Sequence, residues 1–155
     1  SAARSWVFNQ VLEARCNDHS WNQILPGELV CLAGSHSYFG PVSGDEDLQA
    51  RLDAFDIHPS GPLPGLGESG VADTVASLEQ QVFVGNTDYI NYIQRTGVKG
   101  ARRPLRATAQ NLQWQLSDDA CAQLSFTLDS GCYATALLKA LGNFVTLDKR
   151  NIKNP

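Results

Sequence analysis

The sequence has no methionine, not even at position 1, so Ser1 reads as a processed end or as the edge of a longer polypeptide. It also lacks any apolar run approaching the ~20 residues that a membrane-crossing helix needs, and no membrane partner is expected. The opening residues are not a signal peptide, because Arg4 is followed by a mixed stretch containing Asn9, Gln10 and Glu13. Cysteine is sparse. Cys16, Cys31, Cys121 and Cys132 form no C-x-x-C pair and are separated by irregular gaps. That spacing argues against a zinc site even with His19, His36 and His58 present. It favours buried free thiols in a reducing cytoplasm. The signatures G-x-S-x-G, G-x-x-x-x-G-K-[ST] and H-E-x-x-H are all missing, which removes the usual acyl-transfer, P-loop and zincin chemistries.

Basic residues are scarce in one half only. From Glu13 to Asp88 there are twelve acids and two bases, Arg15 and Arg51; from Arg95 onward there are nine bases and four acids. A net charge of −4 therefore conceals two parts of opposite character. The basic part is the natural place for a polyanion contact.

Apolar spacing predicts a helix from Ser1 to about Arg15, with Ala3, Val7, Val11 and Ala14 in a stripe that Phe8 and Leu12 widen. Residues 28–33 and 37–42 read as a β-hairpin about Gly34. Asp45–Phe55 reads as a helix with acids in its first turn. The stretch 58–65 holds three prolines and two glycines, and is expected to be a shaped loop without regular structure. Helices are expected from about Val71 to Val84 and from Thr87 to Arg95, the latter closed by Gly97. Beyond Gly100 the period changes to two. Strands are expected at 105–109, 112–116 and 120–128, forming a meander with Asp118 and Asp119 in a turn, followed by a helix from Tyr133 to about Leu141. The fold class is α+β, with a boundary near residue 107 between a mostly helical acidic part and a strand-rich basic part.

Two segments carry candidate chemistry. Residues 99–106, Lys-Gly-Ala-Arg-Arg-Pro-Leu-Arg, hold four of the twelve bases. Guanidinium groups match phosphate oxygens, so Lys99, Arg102, Arg103 and Arg106 suit an RNA backbone. The competing reading is a turn whose arginines pair with the acidic half of the same chain. Residues 128–135, Leu-Asp-Ser-Gly-Cys-Tyr-Ala-Thr, take a strand through Ser-Gly into a helix. That places Tyr133 at a sheet rim, where an aromatic stacks on an unpaired base. The competing reading is a core tyrosine. Cys132 at this helix start has no histidine on its C-terminal side, which disfavours a thiol nucleophile.

Five segments in order resemble the TruD-type tRNA pseudouridine synthases. They are Ser-Ala-Ala-Arg-Ser-Trp-Val-Phe-Asn (1–9), Gly-Glu-Leu-Val-Cys-Leu-Ala-Gly (27–34), Gly-Pro-Leu-Pro-Gly (61–65), Ala-Arg-Arg-Pro-Leu-Arg (101–106) and Phe-Thr-Leu-Asp-Ser-Gly-Cys-Tyr-Ala-Thr (126–135). The resemblance runs from the first residue to about Leu141. It implies that residues 1–107 are most of the insertion domain of that family, a mostly helical body with a small hairpin. Residues 108–155 would then be the end of the catalytic domain, its last antiparallel strands and a helix. It further implies a cofactor-free isomerisation of uridine to pseudouridine at position thirteen of the tRNA D-arm.

The aspartate nucleophile of the family belongs to a motif that is absent here, as is its Asn-Tyr-Phe-Gly-x-Gln-Arg-Phe-Gly segment. No catalytic residue is expected in this chain, and alone it is expected to be inactive. The family's aromatic turn residue falls on Tyr133, implying contact with the flipped uracil. The chain departs from the family at Asp129, where proline is usual, and at Cys132, where serine is usual. Asp129 reads as turn chemistry rather than as a replacement nucleophile. The rival reading is a stand-alone RNA-binding module, and a weaker one is an inert proteolytic product. Expected partners are tRNA, with either the missing part of the enzyme or a second copy paired along exposed strand edges.

Overall fold

The computed structural model describes residues 2–44, 47–116, 122–129 and 131–142. The chain divides into two compact units, Ser1–Arg106 and Ala107–Pro155. The first holds helix α1 (Ala2–Asn17), strands β1 (Val30–Leu32) and β2 (Tyr38–Phe39), helix α2 (Gln49–Asp53) and strands β3 (Ile57–His58) and β4 (Ser60–Leu63). Helices α3 (Asp73–Gly85) and α4 (Thr87–Arg95) and strand β5 (Ala101–Pro104) complete it. The second holds strands β6 (Gln110–Leu116) and β7 (Ala122–Thr127) and helix α5 (Ala134–Leu141). Helices and antiparallel strands make this an α+β chain, as its periodicities predict. No helix among the described residues is long and apolar enough to cross a membrane.

α1 buries Val7, Phe8 and Val11, the stripe that its spacing predicts, and packs on β4, α3 and α4. Arg15 continues the same stripe and is also buried, held against Glu28 at 2.9 Å with 1% and 0% of their side chains exposed. Its guanidinium also donates to the carbonyls of Ser20 and Gln23 at 2.8 and 2.7 Å, so the desolvated charge is fully engaged. Beside it a second core forms from Val30, Val42, Leu52 and Ile57.

The hairpin about Gly34 is present, with Val30 opposite Phe39 and Cys31 opposite Tyr38, although its strands are shorter than expected. A third strand, β3, pairs on the other side of β1 and gives the order β2-β1-β3. Two residues are too few to announce a strand by alternation. The helix expected over 45–55 is reduced to Gln49–Asp53; Asp45 and Glu46 lie outside the described residues. Ala54 caps its C-terminus, and Phe55 follows with a left-handed φ of 57° that does not continue a helix.

The proline-rich stretch corrects a second expectation. Instead of lacking regular structure, it supplies β4, which pairs antiparallel with β5, Gly61 opposite Arg103 and Pro62 opposite Arg102. Among the described residues this sheet has two strands. Pro62 is therefore accommodated on a strand whose other side needs no ladder bond. Gly61 is required by packing, because a Cβ there would sit 2.8 Å from Phe8 Cε2.

The strand expected at 105–109 is likewise displaced, to Ala101–Pro104. Leu105 and Arg106, both buried, follow the end of this strand. The meander is consequently a hairpin of β6 and β7, with Trp114 opposite Leu124 and Leu116 opposite Ala122. Asp118 and Asp119, assigned to its turn, lie outside the described residues. α3 and α4 lie where their periodicities put them. Past Thr96, Gly97 adopts φ 71° and its N–H donates to Gln94 O.

Candidate functional site

The four bases of the segment 99–106 have different fates: Arg102 and Arg103 are neighbours on β5, whose successive side chains face opposite ways, while Lys99 precedes and Arg106 follows that strand. Arg102 points inward. Its Nη1 donates to Glu79 Oε2 at 3.0 Å, its Nε to Ser60 Oγ at 3.0 Å and its Nη2 to Ser60 O at 2.7 Å. Only 3% of the Arg102 side chain and 2% of that of Glu79 remain exposed. Burial pushes the Glu79 carboxyl above its ordinary range, against the opposing pull of Arg102.

Arg106 is also buried. It donates to His58 Nδ1 at 2.9 Å, to the carbonyls of Leu52 and Ile57, and to Asn22 Oδ1. Its guanidinium lies 4.5 Å from the centre of the Phe55 ring. Loss of solvent lowers its pKa from the ordinary arginine value. Arg102 and Arg106 thus spend their donors tying loops and helices together within the first unit. Arg102 meets an acid of the acidic half, as the competing sequence reading has it, but inside the fold rather than in a solvated turn.

Lys99 and Arg103 are placed differently. Lys99 is exposed, and its carbonyl accepts from Arg4 Nη2 at 3.0 Å. Arg103 is half-buried, its guanidinium 3.7 Å from the centre of the Phe8 ring. That face-on contact holds a planar cation in a defined orientation.

Near them lies a cavity of about 490 Å³ lined in part by Arg4, Ser5, Tyr92, Thr96 and Arg103. The sequence reading treats Arg4 as part of a helix opening and does not single out Tyr92. The available signal was the i, i+3 spacing of Tyr89 and Tyr92 on a helix whose inward positions are already filled by Ile90 and Ile93.

In the second unit, Tyr133 stands at the N-cap of α5 with φ −114° and ψ 126°, and 75% of it is exposed. The turn before it is held by the Cys132 N–H donating to Asp129 O at 3.1 Å, and Gly131 takes φ 88°. Tyr133 O accepts from the Ala136 N–H at 2.9 Å and begins the helix. Within this chain the ring is exposed at the junction rather than packed in a core. Cys132 is half-buried and Asp129 exposed.

The family model described as tRNA pseudouridine synthase D (TruD) matches residues 1–141 of the chain. A curated protein of Xanthomonas euvesicatoria pv. vesicatoria, named tRNA pseudouridine synthase D, is 43% identical over 98% of this chain and 42% of its own length. A protein of the same name from Xanthomonas campestris pv. campestris is 45% identical over 94% of this chain and 40% of its own. Among solved structures, a protein described as a putative TruD from Methanosarcina mazei superposes with a TM-score of 0.69 at 21% identity. The superposition covers 88% of this chain and 35% of that one. The chain therefore spans about two fifths of the length of the curated relatives it matches.

Proposed function

This chain belongs to the tRNA pseudouridine synthase D family, and from that membership we propose that it supplies part of an isomerase converting a tRNA uridine, at position thirteen, to pseudouridine. Residues 1–107 correspond in this reading to most of the insertion domain and residues 108–155 to the end of the catalytic domain. The division of the chain after Arg106 supports that assignment. The observation that carries the functional reading is the family match, which extends through the aromatic turn to residue 141.

The chemistry assigns this chain a binding role. A uracil inside a stack hides its glycosidic bond, so the nucleotide must leave the stack before the base can be detached and reattached through carbon. Tyr133, exposed at the start of α5, is the ring against which the extruded base rests. Lys99 and Arg103 contact phosphate. Arg102 and Arg106 act on RNA only indirectly, by fixing the strand and loop that carry them. The aspartate nucleophile lies outside these residues, and the reaction proceeds in the cytoplasm with no cofactor.

Filter binding with an unmodified tRNA transcript, followed by carbodiimide mapping of pseudouridine, tests this reading. The chain alone is expected to retain tRNA in a salt-dependent manner and to leave position thirteen as uridine. Turnover by the chain alone would overturn the placement of the nucleophile. Failure to retain tRNA at low salt would overturn the binding role.

A further inference from the structure

Ser60 stands between two buried ion pairs of the first unit, Arg15 with Glu28 and Arg102 with Glu79, and is a member of neither. It is 1% exposed. Its N–H donates to Glu28 Oε1 at 3.2 Å, and its hydroxyl donates to the Leu29 carbonyl. The hydroxyl oxygen accepts from Arg102 Nε at 3.0 Å. Across the β4–β5 ladder Ser60 faces Pro104, which has no N–H to offer. The Ser60 carbonyl takes its donor instead from Arg102 Nη2, at 2.7 Å. One residue thereby joins both ion pairs into a single cluster.

That cluster holds two charges of each sign, on side chains no more than 3% exposed. It is a poor source of net stability, because taking the ions out of water offsets most of their attraction. What a buried polar network supplies is placement, since it specifies one arrangement of the elements that carry it. Arg15 belongs to α1, Ser60 to β4, Glu79 to α3 and Arg102 to β5. The ladder fixes β5 on β4; the cluster fixes that pair of strands to the two helices. Arg103 follows Arg102 on β5, and Lys99 precedes the strand by two residues.

We propose that Ser60 is a positioning residue for RNA: by joining the two ion pairs it holds β5 where Lys99 and Arg103 meet phosphate. This role rests on the RNA-binding reading given above, since Ser60 itself is buried and touches no RNA.

Fluorescence anisotropy of the whole chain with a labelled tRNA transcript, repeated over a range of salt, tests it. Ser60→Ala removes the hydroxyl and is expected to weaken binding about tenfold, the size of one charged hydrogen bond. The slope of log affinity against log salt should flatten by about 0.7–0.9, one phosphate contact. Glu79→Gln keeps its shape but removes the charge that holds Arg102 from the other end; it should do the same, and it carries the test if Ser60→Ala does not fold. Val42→Ala truncates the second core without removing a bond of the cluster. It should lower the melting temperature yet keep the affinity and salt slope of the wild type. A wild-type slope in folded Ser60→Ala or in Glu79→Gln, or an equal flattening in Val42→Ala, would show that Ser60 only stabilises the fold and would overturn the positioning role while the RNA reading stands. Absence of RNA binding by the wild-type chain would remove both.

Discussion

Two buried ion pairs organise the first unit, Arg15 with Glu28 and Arg102 with Glu79. Removing one member strands the other away from water. Glu28→Gln, which keeps the shape and loses the charge, is expected to lower the unfolding free energy by about 3–5 kcal/mol in urea titrations; a loss under about 1 kcal/mol contradicts the pairing.

Glu79 gives a pH signature. Its folded pKa lies above the ordinary carboxylate value of 4.5 because of burial. The associated stability is therefore fully present below the unfolded value and is lost as pH rises through the folded one. The stability of the wild type relative to Glu79→Gln should accordingly fall as pH climbs from 4.5, and a gap that widens instead would refute this. Burial likewise raises the Cys31 thiol, whereas Cys16 is exposed. A maleimide should label Cys16 in the native chain and reach Cys31 only on unfolding, as peptide mass mapping would show.

At the scale of elements, α1 rests on β4 through a contact that tolerates no side chain at Gly61. An added Cβ would lie 2.8 Å from Phe8 Cε2 and 2.9 Å from Leu105 Cδ2. Phe8 cannot swing aside freely, because Arg103 covers its ring. Gly61→Ala should therefore cost about 1–3 kcal/mol by overpacking, read as a lowered denaturation midpoint at unchanged slope; a wild-type midpoint would argue against this packing.

Helices were legible from sequence because α1, α3 and α4 each repeat their apolar positions over two turns or more. The short strands were not. β3 has two residues, and β4 contains Pro62, so neither displays the alternation that identifies a strand. Their existence depends on β1 and β5 arriving from elsewhere in the chain.

At the scale of the whole molecule, the second unit leaves Trp114 and Leu116 exposed at alternate positions of β6. Apolar residues on an open two-stranded sheet favour association. The chain by itself is expected to self-associate as its concentration rises, and Trp114→Lys to shift it toward monomer in sedimentation velocity. A wild-type chain that stays monomeric at high concentration would exclude this surface as a contact.

The candidate site was legible only in part. The aromatic turn at Tyr133 follows from local sequence, since a Ser-Gly leading into an apolar helical run is a short-range feature. The split among the arginines does not, because composition counts charges without assigning them a direction. Sequence alone determined the α+β class, the extents of the long helices, the charge asymmetry and the motifs of the family. Each is written in contiguous residues, where periodicity and turn chemistry act over a few bonds. Tertiary structure alone decided that Arg102 and Arg106 face inward while Arg103 lies on a ring, and that Arg4 and Tyr92 share one cavity. Burial and pairing join residues tens of positions apart, and no local pattern encodes which of them will meet.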